Sequence, residues 1–190
     1  MPSLWKLSGS FGPSYHLFYE LSDFMTDQYK PVDISRNQKI LSIFGELNYF
    51  PIEIISVGVF YQADLGSIDI SSSTDIKPNY FYSSQSVGIC SGYRFYQFGS
   101  LSSSANVFAG IIFHSLTGPE SGLNFIPDSE SSGYHYGIYS ESTVELTENT
   151  NIVVMFGGEM KTSGTIKSNS SEYDFQSLNY FIRFGVDFEL

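Results

Sequence analysis

Three histidines, His16, His114 and His135, are the side chains of this sequence best suited to move a proton near neutral pH. Two of them have a serine at hand: Ser14 precedes His16 by two residues, and Ser115 directly follows His114. Histidine bonded to serine, with a carboxylate behind it, would be acyl-transfer chemistry. The local patterns argue against it. His114 and Ser115 are chain neighbours, so in a strand they face opposite ways, and His135 is followed by Tyr136 and Gly137. His16 with Ser14, or His114 with Ser115, makes a site only with an acid brought from elsewhere. The plainer reading has all three as interior or rim polar residues held by hydrogen bonds.

Other chemistry is scarcer still. Cys90 is the one cysteine, so neither an intramolecular disulfide nor a cysteine-based zinc site can form. No phosphate-binding loop appears, and no cofactor is expected. Asp69, Asp75, Glu120, Asp128, Glu130, Glu172 and Asp174 fall in polar stretches that could hold divalent cations weakly, though ordinary solvated loops explain them better. The net charge of −11 speaks against a nucleic-acid partner, which needs a basic face.

The elements that must position these residues are legible in the alternation of apolar and polar side chains. With 17 Phe and 14 Tyr, and abundant Gly and Ser, the composition favours strands and turns. Eight runs alternate. They begin with Trp5, Leu7, Gly9 and Phe11, and end with Ile182, Phe184, Val186, Phe188 and Leu190. Pro13 leaves a short helix over 14–26 as a competing reading of the first run's continuation. The runs are joined alternately by polar stretches (22–35, about 66–83, about 116–131 and TSGTIKSNSSEYD) and by short turns. No apolar stretch is long enough for a transmembrane helix, and the N-terminus does not read as a signal peptide.

One face of every run is free of charge. The other carries Lys6, Glu46, Asp64, Arg94, Glu141, Glu145, Glu159, Lys161, Arg183, Asp187 and Glu189, among many Ser, Gly and aromatic residues. That pattern predicts an all-β, eight-stranded antiparallel up-and-down transmembrane β-barrel, a single domain over residues 1–190, with short turns at one end and long loops at the other. Closure leaves no unpaired edge in lipid. A soluble lipocalin-like carrier with inverted faces is the contrasting reading. The inward set includes Phe44, Phe60, Phe108, Ile112, Tyr139, Met155 and Phe181, which predicts a filled interior. Glu46, Arg94, Glu141, Glu159, Lys161, Arg183 and Asp187 are expected to pair as an interior charge network, because unpaired buried charges are costly. Inward glycines (Gly58, Gly88, Gly92, Gly110, Gly137, Gly157) leave room for a small apolar ligand cavity. On the outward face, the small residues Ser91, Ala105, Ala109, Ser140, Ser142 and Gly158 suggest a contact between copies.

The ending FIRFGVDFEL carries a polar residue, a glycine and two apolar or aromatic residues at fixed spacing: Arg183, Gly185, Phe188 and Leu190. This resembles the C-terminal signature of bacterial outer-membrane barrels, and the whole chain resembles small barrels of the OmpA, OmpX and OmpW kind. The resemblance implies a bacterial outer-membrane location, short turns in the periplasm and long loops outside the cell. It also implies a cleaved signal absent from this sequence, and contact with membrane lipids and the outer-membrane assembly machinery. The His-x-Ser pair of outer-membrane lipid A deacylases, which share this architecture, is absent, so no enzyme activity is expected. The expected role is structural, surface-interacting or membrane-organising, as a homo-oligomer if the small-residue face pairs. The alternative is a lipid-modifying or small apolar ligand-binding or transport barrel.

Overall fold

The computed structural model describes residues 5–18, 32–34, 37–72, 79–118, 129–162, 165–168, 171–174 and 176–190. Eight long strands carry the fold: β1 (Trp5–Phe18), β3 (Asn37–Ile52), β4 (Ile55–Ser72), β5 (Asn79–Phe98), β6 (Leu101–Thr117), β7 (Ser129–Thr147), β8 (Thr150–Lys161) and β11 (Ser177–Glu189). Each pairs antiparallel with its neighbour in sequence. β1 closes against β11 and β4 against β5, so the sheet is a ring. Short strands β2 (Val32–Ile34), on β4, and β9 (Thr165–Ser168) with β10 (Ser171–Asp174) add to one end.

Alternation becomes two walls. Phe11, Ile89, Ile138, Phe156 and Phe184 point out and are half or more exposed, with Ile89 at 68%. Their strand neighbours Gly12, Cys90, Tyr139, Met155 and Arg183 point in and are buried. A continuous apolar outer wall on this scale has no place in water and suits lipid. Trp5 and Tyr49 pack with ring centroids 5.0 Å apart on that wall, near the short-turn end, where amphipathic rings suit a membrane boundary.

The structure decides one open reading and corrects one expectation. First, β1 continues as strand through Ser14 to Phe18, so no helix starts at residue 14; residues 19–26 lie outside the described set. The ladder to β11 runs through Phe11↔Phe184 and resumes in the same register at Ser14↔Phe181, passing Pro13, which has no N–H to donate. Second, much of the polar stretch 66–83 is strand. Gly66↔Tyr82, Ser67↔Phe81 and Ile68↔Tyr80 pair, and Ile68, Tyr80 and Tyr82 are buried. Serine-rich segments with an apolar residue at every second position keep the strand period despite low hydropathy. Likewise β6 runs to Thr117, with Leu116 buried. The opposite end closes at tight turns around Glu53–Ile54, Gly99–Ser100 and Glu148–Asn149, with Gly99 at φ 55°.

Candidate functional site

The inner wall gathers its polar residues into two clusters separated by an aromatic layer. The upper cluster, away from the short turns, centres on Glu159 of β8. Its carboxylate receives Arg183 Nη2 at 3.2 Å from β11, Asn179 Nδ2 at 3.3 Å from β11, and Gln62 Nε2 at 3.1 Å from β4. Lys161 Nζ lies 3.0 Å from the same carboxylate and forms a short ion pair with Asp64 of β4. Asp64 also accepts from Ser84 Oγ at 2.8 Å and from Gln62 Nε2 at 3.0 Å. Two carboxylates and two cations therefore balance, with every carboxylate oxygen surrounded by donors, the condition for keeping ions in a low-dielectric interior.

Arg183 is wholly buried and also lies against two rings, 3.7 Å from the Phe181 centroid and 4.9 Å from that of Phe44. A guanidinium suits this place because it is weakly hydrated and can stack while it hydrogen-bonds. Below it lies the layer of Phe44, Phe60, Cys90, Phe108, Tyr139, Val153, Met155 and Phe181, all buried. Phe60 and Phe108 pack edge to face with centroids 5.0 Å apart. The inward glycines make this layer possible. Phe60, Phe108 and Tyr139 each sit beside a cross-strand glycine: Gly88, Gly137 and Gly157. A Cβ at Gly88 or Gly137 would come within 2.7 Å of the Phe60 or Phe108 ring. Beside Gly88, Gly137 and Gly157, the space that an apolar ligand could have used is filled by rings.

The lower cluster centres on Lys6 of β1, whose Nζ lies 2.6 Å from Glu141 and 2.7 Å from Asp187. Glu46, buried beside it, accepts from Tyr139 Oη at 2.6 Å. Below, a polar mouth of about 100 Å³ opens between the short turns, lined by Lys6, Arg94, Glu141, Glu145 and Glu189 among others.

The structure thus brings Glu159, Lys161 and Arg183 together in one cluster, and Glu46, Glu141 and Asp187 in another. Arg94 does not join either. A bulge between Arg94 and Tyr96 breaks the register near the turn, and the Arg94 guanidinium donates to Gln97 Oε1 at 3.4 Å and lies 5.4 Å from the Phe50 centroid. Lys6 and Asp64 replace it as network members. Sequence reasoning placed both on the inward parity but assigned them no partner. Register with adjacent strands does not bring Lys6 to Glu141 or Asp64 to Lys161, because those partners lie on strands that are not neighbours.

The histidines assemble differently from either sequence pairing. His135 Nδ1 lies 2.8 Å from Ser86 Oγ, and its Nε2 lies 3.2 Å from Glu159 Oε2. This is a serine–imidazole–carboxylate line, but Ser86 is 2% exposed and His135 is edge-on to Phe60 and Phe108. His114 Nδ1 is 3.0 Å from Tyr82 Oη, and His16 is buried against the Tyr82 ring. Asp75, Glu120 and Asp128 lie outside the described residues.

The outward small residues lie side by side on β5 to β8, with Ala105↔Ser140, Ser103↔Ser142 and Ile138↔Gly158 in register. Their hydroxyls are satisfied within the chain: Ser91 Oγ donates to Ser56 O at 2.9 Å, Ser140 Oγ to Ser104 O at 3.3 Å, and Ser142 pairs with Ser103 at 3.1 Å. At the closing seam, a Cβ at Gly185 would come within 2.6 Å of Ser10 on β1, while Phe188 and Leu190 point outward.

No protein-family model and no curated protein matches the sequence. Solved structures do. Neisserial surface protein A (NspA) aligns over 100% of this chain and 99% of its own at a TM-score of 0.62 and 14% identity. The outer membrane protein OprG from Pseudomonas aeruginosa aligns over 100% of this chain and 97% of its own, at a TM-score of 0.51 and 10% identity. The ring of eight antiparallel strands, the apolar outer wall and these similarities agree: the chain has the fold of the small eight-stranded outer-membrane β-barrels, with an outer wall suited to lipid.

Proposed function

We propose that the protein is a non-catalytic, non-conducting barrel whose filled interior makes it a rigid frame, serving surface interaction or membrane organisation through the segments that join its strands. The observation that supports this most is the aromatic layer crossing the lumen between two separate charge clusters. An eight-stranded barrel has room for little more than its own side chains. Planar-bilayer recording of the purified protein tests the reading: a flat baseline is expected, and steady unitary openings would overturn it.

One observation favours a lipid-modifying barrel instead, the line from Ser86 through His135 to Glu159. Burial of all three argues for a structural role. A serine-directed fluorophosphonate that labelled Ser86 in the folded protein would reverse that preference.

Two finer readings go with the main one. The small-residue patch on β5 to β8 is proposed as a self-contact, supported by its contiguity and by hydroxyls already satisfied within the chain. A single-barrel mass in mild detergent and no crosslinked pair in native membranes would sink it. Arg183, Gly185, Phe188 and Leu190 are proposed as the signature read by the assembly machinery. Arg183 and Gly185 also have structural places, so Phe188→Ser is the informative variant. It should refold in detergent like the parent yet assemble poorly in cells; normal assembly would count against the signature.

A further inference from the structure

The upper cluster holds a donor set of a second kind. His16 of β1, Asp64 of β4 and Glu159 of β8 are buried, and one ligand atom from each lies within 4.8 Å of the others. Asn179 of β11 stands between two of them, directly across from His16 on one side and from Glu159 on the other. Its Nδ2 donates to Glu159, while its Oδ1, wholly buried, has no hydrogen-bond partner among the described residues. One imidazole nitrogen and two carboxylates converge from three strands, with the Asn179 amide beside them. That is a borderline N/O set, of the kind that takes zinc or cobalt(II).

What stands among these donors is the Lys161 ammonium, paired with Asp64 and 3.0 Å from Glu159. We propose that the cluster is a divalent transition-metal site in which the Lys161 ammonium takes the ion's place, so that removing the ammonium yields a metal-binding barrel. The charge count supports this. With Lys161 present, Arg183 and Lys161 offset Asp64 and Glu159. A divalent ion added to that set would leave two excess positive charges in a buried site, whereas without the ammonium it leaves one, beside a carboxylate that has lost its cation.

The experiment uses the full chain in detergent, with Lys161→Met and Lys161→Met/His16→Ala, titrated with Co²⁺ and read by its visible absorption and by calorimetry. Lys161→Met should bind Co²⁺ about a hundredfold more tightly than the parent, with an absorption typical of low coordination number, and the double variant should lose that gain. Folded Lys161→Met that binds no better than the parent, or no better than the double variant, overturns the proposal. If Lys161→Met does not refold alone, refolding is repeated with Zn²⁺ and, separately, Mg²⁺. Recovery of the folded barrel with Zn²⁺ only, and only while His16 is present, is the expected result. Failure of Zn²⁺ to restore folding, or equal rescue by Mg²⁺, overturns the proposal.

Discussion

Around Glu159 two carboxylates, with Asp64, meet two cations, Lys161 and Arg183; around Lys6 three carboxylates, Glu46, Glu141 and Asp187, meet one cation. The aromatic layer keeps the two groups apart. The upper group is sealed and must balance itself, so amides, a serine and a stacked guanidinium crowd its carboxylates. The lower group borders the polar mouth and tolerates an excess of acid, because water lies close to it. The same residue types therefore differ in energetic weight according to depth in one lumen.

Substitutions can break or sharpen that contrast. The largest effect belongs to Glu159→Ala, which strands two buried cations on Asp64 alone; it should cost about 3–5 kcal/mol. Urea unfolding in micelles, followed by the fluorescence of the single tryptophan, Trp5, would measure it. Phe108→Ala comes next. It removes a ring that touches Phe60, His135 and Tyr139 and opens space above Gly137, for about 3 kcal/mol. The same unfolding curve reads it, and bilayer recording would show whether the opened layer leaks. Glu46→Gln should change stability by less than about 1 kcal/mol, because the amide can still accept from Tyr139 and the lower group loses an excess charge. A cost matching that of Glu159→Ala would erase the distinction between the two clusters. Arg94→Ala should be smallest, about 0.5 kcal/mol or less, since the side-chain hydrogen bond to Gln97 is exposed.

The barrel was legible in the sequence because lipid and lumen impose opposite demands on alternate residues. Leu7, Ile43, Val59 and Ile182 face one way, and Ser8, Phe44, Phe60 and Arg183 the other, as parity predicts. Strand ends were less legible. Ser67, Ser71 and Ser83 read as loop, since low hydropathy hides a period that hydrogen bonding in the ladder still honours. Partner choice within the lumen was not legible from parity at all. It depends on shear, which sets which rows of distant strands meet at one depth. Hence Gln62 reaches Glu159 across 97 residues of sequence, Lys6 reaches Glu141 across 135, and Ser86 rather than Ser14 or Ser115 finds a histidine other than its sequence neighbour. Arg94 keeps its register with Ser104 but lies at the mouth rather than in either cluster, a difference of depth that parity cannot reveal.

The filled lumen has a native reporter. Cys90 is the one cysteine, it belongs to the aromatic layer, and its thiol lies 3.4 Å from Asn48 Oδ1 on the inner wall. The most direct measurement is the labelling rate of Cys90 by a small, charged, water-soluble thiol reagent, with the unaltered protein folded in liposomes. The layer predicts almost no modification while the barrel is folded and rapid modification once heat and detergent unfold it. Rapid labelling of Cys90 in the folded barrel would contradict a lumen filled from wall to wall.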